Sequence, residues 1–213
     1  MMETRFWLIR HAIVAKNELD RVYGNKDVPI CLENLASQRA VYEALAARLP
    51  RPATWFATPL SRTQCTAAAI FDAGYPAQDL TIEPGMAEQH LGVLQGVLRD
   101  EVSGKLLQPA PPFWPIAADE VPEGGESVVQ MMARVGEAME RLAQAHPGQD
   151  VVIVSHGGPI RCAVGHAMGV GAVPVLHLSV QNLSLTRIDH LAAGWRVGWL
   201  NAMAGTNVGS TAV

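Results

Sequence analysis

Apolar residues along this chain fall into two kinds of run. The first kind is short and unbroken: Phe6-Trp7-Leu8-Ile9, residues 53–57, and Val151-Val152-Ile153-Val154. Runs of four or five bounded by polar or turn residues suit strands buried on both faces. The second kind repeats at helical spacing. Val41, Leu45 and Leu49 recur at i, i+4 and i+8, predicting a helix over residues 34–49 that Pro50 stops. Val128, Met131, Met132, Val135, Met139 and Leu142 form the apolar face of another, opened by Ser127 and Gln130 in capping-box spacing. Thr58-Pro59 and Gly158-Pro159 each announce a helix start, with Thr58 as the expected cap and Pro59 at the first helical position. The first of these helices should end near Ala73 and the second near Gly169. Residues 81–83 read as a short strand. Residues 184–188 and 195–200 flank a turn-rich stretch and predict an antiparallel hairpin at a sheet edge.

Strands alternating with helices imply an α/β fold on a mostly parallel sheet. One domain should span residues 1–204, followed by a mobile tail over 205–213. Between Glu88 and Gly125 the periodicity fails, and prolines 109, 111, 112, 115 and 122 surround Phe113-Trp114. Long irregular stretches of this kind are often lids, so residues 97–125 are expected to cover a pocket with Phe113 and Trp114.

Composition narrows the functional classes. Of the 213 residues, 49% are hydrophobic and 17% charged, enough for a substantial core, and the formal net charge is -4. That balance offers no electrostatic footprint for nucleic acid, although an acidic protein can still hold a locally positive pocket. No run reaches the ~18 apolar residues of a membrane span, and no signal-peptide pattern opens the chain. A cytoplasmic protein is expected. Cys31, Cys65 and Cys162 are odd in number, lack CxxC spacing and read as core thiols of a reducing compartment.

Candidate chemistry lies where apolar runs end. In parallel sheets ligands sit beyond the carboxyl ends of the strands, where helix N-termini also point. The first run delivers Arg10 and His11. The second is followed by Arg62 in the first turns of a helix. The run at 151–154 delivers His156 and then Gly157-Gly158 at another helix start. Taken singly, each of these residues reads as a structural or salt-bridging side chain. Together they describe an anion pocket: two guanidinium forks, two imidazoles, and glycines that let backbone approach closely.

Six segments in order carry a resemblance. They are Leu8-Ile9-Arg10-His11-Ala12 with Asn17 beyond it, Tyr23-Gly24-Asn25-Lys26-Asp27-Val28-Pro29, and Thr58-Pro59-Leu60-Ser61-Arg62 continuing through Thr66-Ala67. The others are Glu88 with Gly92 and Gln95-Gly96, Gly125-Glu126-Ser127, and Ser155-His156-Gly157-Gly158-Pro159-Ile160-Arg161. The chain resembles the histidine phosphatase superfamily, the phosphoglycerate mutase-like family, along nearly its whole length. Two positions depart from the family pattern: Ala12 stands where glycine is usual, and Ala36 where glycine is frequent.

The resemblance implies a three-layer α/β sandwich, phosphoglycerate mutase-like, and a phosphomonoesterase acting through a phosphohistidine on a small phosphorylated metabolite. It implies His11 as nucleophile; Arg10, Arg62 and His156 as holders of the phosphoryl group; and Asn17 and Gly157 as further phosphate contacts. Glu88 would serve as proton donor to the leaving alkoxide. Neither metal nor cofactor is expected, since arginines already supply positive charge, and a homodimer is the expected assembly. Glu126 reads as a loop brace. His90, His146, His166, His177 and His190 read as structural or surface residues. Alternatives in the same family are phosphoglycerate mutase and alpha-ribazole phosphatase; outside catalysis, a phospho-ligand binder.

Overall fold

The computed structural model describes residues 3–204, so the expected mobile tail lies outside the described residues. In chain order the elements are β1 (Thr4–Arg10), α1 (Leu32–Ser37), α2 (Arg39–Arg48), β2 (Thr54–Ala57), α3 (Ser61–Asp72) and β3 (Leu80–Ile82). There follow α4 (Arg99–Val102), α5 (Val128–Ala145), β4 (Asp150–Ser155), α6 (Gly157–Met168), α7 (Ala172–Val175), β5 (Ser184–Leu191) and β6 (Gly194–Met203). The strands form one six-stranded sheet in the order β3-β2-β4-β1-β5-β6. The pairs β3–β2, β2–β4 and β4–β1 are parallel, and the β5–β6 hairpin adds antiparallel to β1. The mostly parallel sheet is therefore present, with the expected hairpin at its edge.

Alternate residues of the central strands feed two cores. Phe6 and Leu8 of β1 with Val151 and Ile153 of β4 meet Met131, Val135, Met139 and Leu142 of α5 and Ile160 and Val164 of α6. Trp7, Ile9, Val152 and Val154 face the other way, onto Tyr42 and Leu45 of α2 and Ala67 and Ile70 of α3. Helices on both faces explain why these strands read as unbroken apolar runs. A third, smaller cluster of Val22, Leu91, Leu94, Val102 and Ile116 lies under the irregular 88–125 stretch.

Four expectations need correction. The single helix over 34–49 is two, broken at Gln38 (φ −100°, ψ 20°). Only α2 buries a stripe, so packing does not require the two pieces to be collinear. The helix expected from Thr58-Pro59 starts at Ser61 instead, and Thr58 does not cap it. The first-turn N–H of Ser61 is satisfied from a distance by Asp27 Oδ1, at 2.9 Å. Met132, assigned to the core face of α5, is only partly buried. Finally, only Cys162 is a core thiol; Cys31 is half-buried and Cys65 exposed.

Ala12 is not strained. Its φ is not positive, and its side chain packs in the second core among Ile9, Ile30 and Ala67. Glycine's freedom is not required there.

Candidate active site

The sheet order puts β2, β4 and β1 side by side, and their carboxyl ends finish level. Ile9 and Ala57 both pair with Val154, and Arg10 pairs with Ser155. The residues that follow these ends are thereby forced together. The rings of His11 and His156 stand 5.0 Å apart, edge to face. Both imidazoles and the Arg62 side chain are buried.

The hydrogen bonds fix the tautomers. His11 Nδ1 lies 2.6 Å from the carbonyl of Ala12. A carbonyl only accepts, so the proton sits on Nδ1 and Nε2 keeps its lone pair. His156 is arranged the opposite way. Arg62 Nε donates to His156 Nδ1 at 3.3 Å, so its Nε2 carries the proton, toward Thr58 Oγ1 at 2.9 Å. Burial, followed by the charges of Arg62 and Arg10, holds the His11 pKa well below the ordinary histidine value. Burial, then His11, Arg62 and Arg10, depresses His156 likewise. Both rings are neutral at neutral pH.

Arg62 is an internal charge. Its Nη1 and Nη2 donate to the carbonyls of Lys26 and Gly24, each at 2.8 Å, and its guanidinium lies 5.3 Å from the Tyr23 ring. Burial lowers its pKa, opposed by the neighbouring Glu88 charge. The 23–27 turn that receives this fork is itself braced. Gln95 Oε1 accepts the Asn25 N–H at 3.0 Å, and Gly24, at φ +48°, has no room for a Cβ beside Gln89 O and Gln95 Oε1.

Arg10 differs. Its Nη1 donates to Val180 O at 2.6 Å, but its buried Nε has no partner. An unsatisfied buried guanidinium N–H is costly and points to an absent acceptor.

Above this layer opens a cavity of about 210 Å³, walled by Arg10, Glu88, Gln89, Gly157 and Arg161 and roofed by Tyr23, Phe113 and Trp114. Phe113 and Trp114, from the irregular stretch, both line this cavity. Trp114 Nε1 donates to Gln89 Oε1 at 2.8 Å, and the Phe113 ring meets His177 edge-on at 5.9 Å. Glu88 accepts from Gln89 N at 3.0 Å and from Gly158 N at 3.4 Å. Arg134 holds that segment: its Nη2 reaches Glu88 O at 3.2 Å and Glu126 Oε1 at 2.7 Å, while Nε bonds Glu126 Oε2 at 2.9 Å. Glu126 also accepts the His90 N–H at 3.0 Å, and so braces the loop. A Cβ on Gly158 would collide with Glu88 Oε1.

Arg10, His11, Arg62, Glu88, His156 and Gly157 are therefore brought together. Asn17 is not: it is exposed on a 3-10 turn, its amide donating to Glu18 Oε1 at 3.2 Å. Thr58, Gln89, Arg134 and Arg161 join the site unforeseen. Arg161 ended one of the quoted segments and could have been singled out; nothing in the sequence marks Arg134. Among the described residues no group of three His, Cys, Asp or Glu forms a metal cage, and no helix is long and apolar enough to cross a membrane.

A sheet of this order with paired histidines and arginines at its carboxyl edge defines a phosphoryl-handling α/β protein. The chain belongs to the histidine phosphatase superfamily (branch 1), whose family pattern matches residues 6–203. It is 29% identical over 209 residues to a metal-independent phosphoserine phosphatase of Arabidopsis thaliana, covering 92% of this chain and 86% of that protein. It is 30% identical over 207 residues to "Probable phosphoglycerate mutase GpmB" of Enterobacter sp. (strain 638), covering 93% and 91%. A mycobacterial glucosyl-3-phosphoglycerate phosphatase solved with VO3 superposes with a TM-score of 0.77 at 25% identity, covering 93% of this chain and 98% of that one.

Proposed function

We propose that the protein is a metal-independent phosphomonoesterase acting on a small phosphorylated metabolite through a phosphohistidine on His11. One observation carries the reading. His11 is neutral, its Nδ1 proton is fixed on Ala12 O at 2.6 Å, and its Nε2 lone pair is free in a site where burial and the charges of Arg62 and Arg10 disfavour protonation. Nε2 attacks phosphorus and the P–O ester bond breaks, Glu88 delivering its proton to the departing alkoxide. Water then attacks the phosphohistidine, Glu88 takes a proton, and His11 leaves as the neutral ring.

Arg10 Nε and the start of α6 at Gly157 receive the phosphoryl oxygens, and the buried charge of Arg62 favours the transferring group electrostatically. His156 spends both nitrogens on Arg62 and Thr58 in this state, so it fixes Arg62 from beneath; contact with phosphate requires that it release Thr58.

The test is phosphate release from p-nitrophenyl phosphate together with acid-labile labelling. His11→Ala should abolish both. Glu88→Ala should slow turnover by about 10²–10⁴-fold while some labelling persists. Labelling that survives His11→Ala refutes the mechanism.

A mutase reading is favoured by the name of the Enterobacter relative. Transfer between two positions of one substrate requires a second phosphate grip and exclusion of water. Here Phe113 is 65% exposed, and residues 97–125 carry only Arg99 and Lys105 as cations. Interconversion of 3- and 2-phosphoglycerate far exceeding phosphate release would establish the mutase instead.

A further inference from the structure

Residues 107–112 cannot fasten themselves. Pro109, Pro111 and Pro112 have no backbone N–H to give, and the side chain of Leu107 is 91% exposed. Two of the remaining donors go to one acceptor far along the chain. Glu120 Oε1 accepts the Leu107 N–H at 2.8 Å, and Oε2 accepts the Gln108 N–H at 3.1 Å. Apart from a turn bond from Trp114 N to Pro111 O at 3.4 Å, no other hydrogen bond holds residues 107–112 among the described residues. The returning limb is anchored. Ile116 and Ala118 are buried in two different clusters, and Ala118 O accepts the Val129 N–H of α5 at 3.1 Å. Glu120 is itself 6% exposed. It therefore sits on the fixed limb and reaches back across a closed surface loop to hold the free one.

The held segment is also a wall. A second cavity of about 380 Å³ adjoins the reactive one. Val22, Arg99, Phe113, Trp114 and Pro115 line both, and Ala110 and Pro112 of the held segment line only the outer one.

We infer that Glu120 is a positioning residue for the leaving-group side of the reaction. Its carboxylate clasps the proline segment in place as the wall of an outer compartment, and so sets how well a bulky alcohol half is bound. This rests on the phosphomonoesterase reading above. A small alcohol half ends within the inner cavity and does not meet that wall. One with a second ring extends past Phe113 and Trp114 toward Ala110 and Pro112, whose side chains offer only apolar contact. Such contact is equal in ground and transition states, so it acts on binding rather than on the chemical step. A wall without backbone bonds of its own keeps its shape only while the clasp is closed. Without the clasp, each docking event must reorder the segment, and affinity falls.

The first measurement needs no substrate. In hydrogen–deuterium exchange of the full-length protein, the amides of Leu107 and Gln108 should exchange about ten-fold or more faster in Glu120→Ala than in wild type, with α5 and the sheet unchanged. The second is kinetic. 1-Naphthyl phosphate carries a second ring beyond the inner cavity; O-phosphoethanolamine does not. Relative to wild type, Glu120→Ala should raise KM for 1-naphthyl phosphate by about five- to thirty-fold at nearly constant kcat, and KM for O-phosphoethanolamine by less than about two-fold. Glu120→Gln, which keeps one oxygen acceptor, should fall between. Gln108→Pro removes one donor from an exposed position and leaves Glu120 in place. It should shift both readouts in the same sense by less, and it decides the matter if the Glu120 variants do not fold.

Unchanged exchange at Leu107 and Gln108 in Glu120→Ala overturns the clasp. So does faster exchange spread over the whole domain, which would make Glu120 a general stabilising residue. Equal KM changes for the two esters, or a fall in kcat on both, overturns the positioning role. In each of these cases hydrolysis itself still stands. If the wild-type protein hydrolyses neither ester, the phosphomonoesterase reading fails and the leaving-group role falls with it, while exchange still decides whether Glu120 holds the segment.

Discussion

Acidification should destabilise this protein in a window set by His11 and His156. Both rings are buried. Burial first, then the surrounding arginine charge, keeps their pKa values well below the ordinary 6.5. In the unfolded chain both rings take up a proton near pH 6.5. Below that pH the unfolded state binds more protons than the native state, so stability falls as pH falls. Above about pH 7 their contribution is constant. Until the native rings also protonate, each histidine removes about 1.4 kcal/mol of stability per pH unit, and the pair about 2.7 kcal/mol.

Against a typical total of about 5–15 kcal/mol, two pH units of such loss approach unfolding. Urea unfolding at about pH 7.5, 6.5, 5.5 and 5.0 in phosphate-free buffer measures the slope directly. His11→Gln and His156→Gln should each remove about half of the extra slope between pH 6.5 and 5.5, and the double variant all of it. Groups common to all variants cancel in that comparison. An unchanged slope in the double variant would mean that the rings titrate normally in the native protein. The neutral-nucleophile argument would then be lost.

Activity should survive exhaustive EDTA treatment, because Arg10 and Arg62 supply the positive charge at the phosphoryl site; full loss reversed by a divalent cation would refute this. Gly158→Ala should lower turnover of p-nitrophenyl phosphate with little loss of stability, since its Cβ would displace the movable Glu88 Oε1 and lie 3.0 Å from Met131 Cε, the end of another flexible side chain. Thermal unfolding and kcat together check it, and a variant with wild-type kcat contradicts the close approach. Ala12→Gly should lower stability by about 0.4–1 kcal/mol without raising turnover, because the native backbone there is not in the left-handed region. A gain in activity would show that the Ala12 methyl crowds the phosphate.

Residues placed by the sheet were legible in the sequence, and residues placed by loops were not. Arg10, His11 and His156 directly follow apolar runs, so recognising the runs as adjacent parallel strands already sets them at one edge. Arg62 follows from the same logic one helical turn later. Glu88 is different. It sits after a strand of only three residues, β3, whose burial pattern gives little signal. Its position depends on Arg134, which reaches back from α5 to the Glu88 and Gly85 carbonyls. A long-range cation that serves backbone carbonyls has no periodicity or spacing to betray it. Thr58 misled for a related reason. Thr-Pro is a sound local helix-start signal, yet Asp27, 34 positions away, supplies the acceptor for Ser61 N, and Thr58 turns to His156 and Thr63. Tertiary satisfaction overrode the local cap.

The same contrast explains how the site can be rigid below and adaptable above. The phosphoryl layer is built from strand ends and helix starts, and its parts hold one another: Arg62 on His156, His156 on Thr58, His11 on its own next carbonyl. No member can shift without unpairing a buried donor, which is costly. That is the preorganisation phosphoryl transfer needs. The roof is attached differently. Phe113 touches His177, while Trp114 bonds Gln89, stacks over Arg161 and packs, partly buried, against two apolar clusters. Both rings line the space the leaving group must occupy. Sequence change in the 97–125 stretch can therefore alter which alcohol is accepted while leaving His11, Arg10 and Arg62 in place. That separation accounts for how one arrangement of strand ends can serve relatives named for phosphoserine, phosphoglycerate and glucosyl-3-phosphoglycerate chemistry.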